Sequence, residues 1–290
     1  MRQIVGDKLL KRKRETLSVS LPYLEDQVVG SVPVIKLYQS RADSREQESH
    51  IKIPMLVLHL ATTWMSSVTL PEALLSLRDF LIVWISQIIY YNHIYPDDAF
   101  SKKLYLDLVV YQCRAPALNE YIQKFIVDML SILVEKDGGG KVHDLVVLLY
   151  DEASLHVRHR YIANFSQFSG LKGQLSSLDF LSNPNALKDT HSARINIPYF
   201  TRDSINTNLR SLMFFHLEEL KRSEAPIPND LFYKFLLNVE GANLNKVLTQ
   251  PSPWVRLYSE SDDGDTIFVP LGEMSVGFMC FDLHNEYNNH

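Results

Sequence analysis

Three short stretches carry residue types that chemistry could use. Gly138-Gly139-Gly140-Lys141 has the glycines and the lysine of a phosphate-cradling loop. Such a loop also needs a glycine at 135 and a serine or threonine at 142, where this chain has Glu135 and Val142. The order is reversed as well. A phosphate loop leaves a strand and opens a helix, so that the helix N-terminus faces the anion; these glycines follow a helical pattern and precede a strand pattern. They read as a helix stop. His156 and His159 stand three apart in a strand-like run, which points them to opposite faces and denies them a shared metal. No cysteine or carboxylate cluster nearby has zinc spacing, so both read as surface histidines. Asp262-Asp263-Gly264-Asp265 lacks the alternating carboxylates and closing glutamate of a calcium loop and reads as a turn. Neither G-x-S-x-G nor H-E-x-x-H occurs. The expectation is a protein with no catalytic residues, no metal and no cofactor. The rival of another class is a hydrolase whose site these patterns do not mark. Convergent carboxylates or a histidine dyad in a dry apolar pocket would favour it.

Composition bounds the rest. The net charge of 29 − 34 = −5 argues against a protein whose main work is coating nucleic acid. Cys113 and Cys280 lie far apart, and each reads as a lone buried thiol suited to a reducing compartment. The N-terminus is charged where a secretory signal needs an apolar core. The most apolar segments, such as 80–91, are too short and too interrupted to span a bilayer. The chain therefore reads as soluble and intracellular. Lys11-Arg12-Lys13-Arg14, with Lys8 before it, is either a nuclear import signal or a solvated helix end.

With no reactive groups to position, the periodic segments read as scaffold. Residues 1–68 form an N-terminal extension, partly disordered, with β-like patches at 32–38 and 51–60. The organised domain is expected over 69–290. Thr69 is a candidate N-cap, Pro71 and Glu72 suit a first turn, and Leu74, Leu77, Leu81, Trp84, Ile85 and Ile88 recur at helical spacing. That predicts a helix over 71–93, ended by Pro96. A strand follows at 104–112. Pro116 then opens a second helix with an apolar stripe from Leu118 to Leu133. Residues 142–150 and 155–165 read as a hairpin laid against it, and the Ser/Asn/Pro-rich stretch 169–199 as a long loop. A third helix at 201–221, a strand at 230–239, tail segments at 254–259 and 266–271, and a terminal strand at 276–287 complete an α+β domain. Its three helices pack on an antiparallel sheet.

The order of these segments carries a resemblance. His93-Ile94-Tyr95-Pro96 closes the first helix, and Ala115-Pro116-Ala117-Leu118-Asn119-Glu120-Tyr121-Ile122 opens the second. Arg160-Tyr161-Ile162-Ala163-Asn164-Phe165 ends the hairpin, Asn208-Leu209-Arg210-Ser211-Leu212 lies in the third helix, and Trp254 precedes Phe268-Val269-Pro270-Leu271. In these motifs the chain resembles a HORMA domain over roughly residues 70–290. Within that family it resembles the non-catalytic accessory subunits of translesion DNA polymerase zeta. Ala115 stands where the family usually has histidine.

The resemblance implies a HORMA-like fold with a C-terminal "safety belt" at 250–290 that wraps an extended peptide. It implies an adaptor in DNA repair and damage-induced mutagenesis, located in the nucleus. The partners it implies are a peptide of the catalytic subunit of DNA polymerase zeta and a deoxycytidyl-transferase scaffold polymerase. No membrane and no sequence-specific nucleic acid are expected as partners. Tyr121, Trp254, Phe268 and Pro270 would line the peptide site, Asp282 and His284 would face the second partner, and Arg210 would lie in a homodimer interface. The nearest rival is another HORMA adaptor, of the spindle checkpoint or the meiotic chromosome axis. Val32–Arg41 loosely resembles the peptides such subunits hold. It reads either as a ligand held in cis or as a segment that pairs elsewhere or stays loose.

Overall fold

In the computed structural model of the chain, residues 15–19, 68–134, 141–151, 156–168, 175, 177–189, 197, 200–223, 231–240, 254–257 and 266–288 are described. The first helix, α1 (Leu70–Tyr91), starts from a capping box. The Glu72 N–H donates to the Thr69 hydroxyl at 3.4 Å, and the Thr69 N–H donates back to Glu72 Oε2 at 2.9 Å. The helix ends in a left-handed turn. His93 has φ 53, its N–H donates to Tyr90 O, and the Ile94 N–H reaches Ile89 O. The stop thus comes before Pro96 and by a different device from the one expected. At 22 residues α1 is long and apolar enough to cross a membrane, contrary to the expectation from 80–91. Here it is core: Leu74, Leu77, Phe80, Leu81, Trp84, Ile85 and Ile88 are fully buried.

The segment expected as one strand at 104–112 is instead a hairpin, β2 (Phe100–Tyr105) and β3 (Leu108–Cys113). Leu106 and Asp107 both have positive φ, which matches the right-handed twist of the flanking strands. Leucine is rare in that conformation, so the turn is hidden in the sequence. Buried Gln87 of α1 clamps β3 to the helix: its amide nitrogen donates to Tyr111 O at 2.9 Å, and its oxygen accepts from the Tyr111 N–H at 2.8 Å. Two more long helices follow, α2 (Pro116–Val134) and α3 (Arg202–Arg222). Between them, part of the expected 169–199 loop is core. A helical turn at Asp179–Ser182 buries Phe180 and Leu181, and buried Arg78 donates to Leu181 O at 2.7 Å.

The strands β4 (Lys141–Asp151), β5 (Val157–Asn164), β6 (Leu231–Glu240), β7 (Trp254–Leu257), β8 (Thr266–Val276) and β9 (Met279–Asn288) join one seven-stranded sheet. Its seventh member is β1 (Glu15–Val19), and the order is β7-β1-β6-β4-β5-β9-β8. Neighbours pair antiparallel throughout. Alternate residues, including Leu145, Val147, Leu149, Phe235, Leu237, Val239, Phe281 and Leu283, face the buried core under the helices. Phe125 of α2 meets Phe235 at 4.9 Å, and Phe80 of α1 meets Phe281 at 6.0 Å. The α+β class and the three helices on an antiparallel sheet are as expected.

Two features of the sheet were not expected. The segments at 266–271 and 276–287 run together as one hairpin, β8–β9, turning at Gly277 with φ 59. A Cβ at that glycine would lie 2.6 Å from the Phe200 ring. The second feature is β1, a sheet strand drawn from within the extension. The patches at 32–38 and 51–60, the segment Val32–Arg41, the glycines 138–140, the acidic turn 262–265 and the basic cluster Lys11–Arg14 lie outside the described residues.

Candidate functional site

β6 and β7 run parallel to each other because each pairs antiparallel with β1. Strand spacing is about 4.8 Å, so β6 and β7 stand about 9.5 Å apart and cannot bond to each other directly. Between them is a slot one strand wide. Its two walls present ladder groups inward, and its occupant here is Glu15–Val19. The register is Val19 with Phe235 and Trp254, Ser18 with Leu236 and Val255, Leu17 with Leu237 and Arg256, and Thr16 with Asn238 and Leu257.

The β6 wall is aromatic at one end. Tyr121, in the second turn of α2, stacks on Phe235 with centroids 5.4 Å apart and planes 16° apart; Tyr233 also meets Phe235, at 5.2 Å. Tyr121 is half-buried, and its burial, with Tyr95 nearby, pushes the hydroxyl pKa well up. The opposite end is polar. His143 Nε2 contacts Glu240 Oε2 at 2.9 Å. Asp144 accepts from Asn164 at 2.7 Å and from Asn238 at 2.8 Å, while Asn238 Oδ1, its residue opposite Thr16 in register, is buried with no donor among the described residues.

The structure therefore brings Tyr121 and the strand position of Trp254 to one end of the slot, where Val19 is flanked by Phe235 and Trp254. It does not bring Phe268 and Pro270 there. They lie on β8, five strand spacings from β1, or about 24 Å across the sheet. Periodicity could not reveal this, because sheet order is a long-range property. Pro270 fits an edge strand at a register shift, where it withholds no ladder bond.

On that edge Phe268 and Pro270 join Asp282 and His284. The Phe268 and His284 rings are 4.7 Å apart, Pro270 pairs with His284 in register, and His284 Nδ1 lies 3.5 Å from Asp282 Oδ2. Ile267 and Phe268 are 47% and 55% exposed, so the edge presents an apolar step beside a carboxylate. β7 forms one edge of the sheet and β8 the other, a placement of the C-terminal strands that is consistent with a belt. Arg210 is exposed on α3, and its Nε donates to Leu106 O of the β2–β3 turn at 3.1 Å. Phe214, one turn further along α3, is also exposed.

Two contributors to the slot carry no motif in the sequence: Phe235 and the strand β1. The alternation in Glu-Thr-Leu-Ser-Val was the available signal for the last. His159, read as a surface histidine, is packed against the Tyr161 and Tyr287 rings, and burial together with Arg158 pushes its pKa down to about 4. Cys113 is buried as expected, while Cys280 is half-buried. Among the described residues no group of three or more His, Cys, Asp or Glu is placed to hold a metal.

The HORMA domain family model matches residues 74–234. A curated relative, the DNA polymerase zeta processivity subunit of Arabidopsis thaliana, is 33% identical over 82 residues, which are 28% of this chain and 36% of that protein. The chain thus matches about a third of that relative's length. Among solved structures, a mitotic checkpoint complex aligns with TM-score 0.47 at 13% identity, covering 73% of this chain and 97% of that one. C. elegans HTP-1 bound to the HIM-3 closure motif aligns with TM-score 0.48 at 12% identity, covering 78% and 95%.

Proposed function

The chain belongs to the HORMA domain family, and from that premise we propose that it is a non-catalytic adaptor subunit of DNA polymerase zeta in translesion synthesis. It holds an extended peptide of the catalytic subunit as a strand between β6 and β7. The observation that carries this reading is the one-strand slot itself. Main-chain ladders on two sides supply affinity for any extended segment, and the Tyr121–Phe235 stack with Trp254 at one end supplies side-chain selection. Such a task calls for no reacting group. The polymerase partner is supported by the name of the Arabidopsis relative.

In the same reading the β8–β9 edge, with Phe268, Pro270, Asp282 and His284, receives the deoxycytidyl-transferase scaffold polymerase. An exposed edge strand with apolar side chains is a natural docking surface. Arg210 and Phe214 on α3 offer a self-association face. Light scattering of wild type and Arg210→Ala tests it, and a monomer in both removes it. Lys11–Arg14 directs the protein to the nucleus.

The decisive experiment is fluorescence anisotropy with a peptide from the catalytic subunit. Tyr121→Ala and Trp254→Ala should each weaken binding by about 2 kcal/mol, roughly 30-fold, with circular dichroism unchanged. Unaltered affinity in folded variants rejects the site. Binding of checkpoint or chromosome-axis peptides in place of the polymerase peptide makes the chain a different HORMA adaptor.

A further inference from the structure

The slot in this structure is filled by the chain itself. We propose that Glu15–Val19 is a ligand held in cis, which an external peptide must displace before it can bind. The proposal rests on the strand-capture reading above and adds its regulation.

Three observations carry it. First, β1 is an inner strand with a complete ladder on both sides: all five residues pair with β6, and Thr16 to Val19 pair with β7. Because it is paired on both flanks, each N–H from Thr16 to Val19 points at one neighbour or the other. Second, the sequence alternation matches the slot. Leu17 and Val19 stand opposite Leu237 and Phe235, which β6 gives to the core. Thr16 and Ser18 stand opposite Asn238 and Leu236, which alternate with them. In the sequence, apolar residues thus fall at the positions paired with buried β6 residues, and hydroxyl residues at the positions between them. Third, β1 comes from sequence remote from both walls. The next described residue after Val19 is Val68, so residues 20–67 join the strand to the domain. This tether makes occupancy an intramolecular event, with a local concentration at or below the millimolar range. An incoming peptide competes against that concentration. A cis segment whose intrinsic Kd lies tenfold below its local concentration weakens the apparent affinity for a competitor about tenfold.

The test uses the full chain and two full-length variants. Leu17→Pro removes a ladder donor and fixes φ within the strand. The second variant, Leu17→Asp with Val19→Asp, puts charge at the two positions paired with the buried residues Leu237 and Phe235. Two labelled probes are used: a synthetic peptide of residues 11–23 of this chain and a peptide from the polymerase catalytic subunit. The expected result is that the 11–23 peptide binds both variants at least tenfold more tightly than it binds wild type. The β6 amides should also lose hydrogen-exchange protection in the variants and regain it when that peptide is added. Failure of the 11–23 peptide to bind the folded variants overturns the proposal. So does failure of both variants to fold, since β1 would then be a permanent strand. If the variants convert a wild-type dimer to monomer, β1 is exchanged between copies and the cis assignment falls. The polymerase probe separates the two readings. Equal binding to all three proteins keeps the polymerase reading and removes the cis ligand. No binding to any of them, with the 11–23 peptide still captured, keeps the cis ligand and removes the polymerase reading.

Discussion

Acid should loosen the joint between β5 and the C-terminal hairpin, and His159 is the residue through which it acts. His159 pairs with Tyr287 in the β5–β9 register, and the two rings meet edge-on at 5.0 Å. With the imidazole neutral, the Tyr161 hydroxyl donates to Nδ1 at 2.7 Å. Neighbouring charge is unfavourable to a second cation. Arg158 is adjacent in sequence, and the nearby Glu286 carboxylate is already engaged by Arg160 at 3.4 Å. Burial first, and Arg158 second, push the pKa from 6.5 to about 4. In the unfolded chain the same histidine takes its proton near pH 6.5, so between these values protons favour the unfolded state. The stability associated with neutral His159 is complete above pH 6.5 and is lost as pH falls towards 4. The 6.5 − 4 gap is worth about 3.4 kcal/mol in full, of which about 2 kcal/mol is lost by pH 5. His159→Gln keeps an acceptor for Tyr161 and removes the titration. Urea unfolding at pH 7.5 and pH 5 should show wild type losing about 2 kcal/mol more than the variant. His216, fully buried beside Trp84 and also held well below its ordinary pKa by burial, is present in both proteins and cancels in the difference. Equal losses in wild type and His159→Gln refute the reasoning.

Three further outcomes follow from named contacts. Gln87→Leu leaves the Tyr111 N–H and C=O without their side-chain partner and should cost about 2–3 kcal/mol, with faster exchange of the Tyr111 amide. Gly277→Ala forces a left-handed alanine whose Cβ meets the Phe200 ring, so stability should fall by about 2 kcal/mol or more in thermal unfolding. Asp282→Lys lies on a partly exposed position and should leave the melting temperature unchanged. It should also weaken capture of the scaffold polymerase's C-terminal domain at least tenfold, measured by calorimetry.

Local pattern determined the elements that repeat at short range. The apolar period of α1, α2 and α3 was legible because each buries one face along its whole length, and the Thr69 capping box was legible because cap and glutamate are three residues apart. The absence of phosphate-loop, zinc and calcium spacings was equally local. The Leu106-Asp107 turn escaped because its conformation is unusual for leucine and is held from outside by Arg210 on α3. The candidate site escaped in part for a related reason. The family resemblance points to Tyr121 and Trp254, but Phe235, which links Tyr121 to the slot, has nothing in its neighbourhood to mark it. The same resemblance groups Phe268 and Pro270 with them, whereas the sheet order puts both on the far edge. Sequence alone thus decided the three long helices and the β4–β5 hairpin, and which side of each is apolar. Only the tertiary structure decided that a five-residue run near the N-terminus stands between β6 and β7. Strand pairing joins residues more than two hundred positions apart through backbone groups that every sequence possesses, so no residue type announces it.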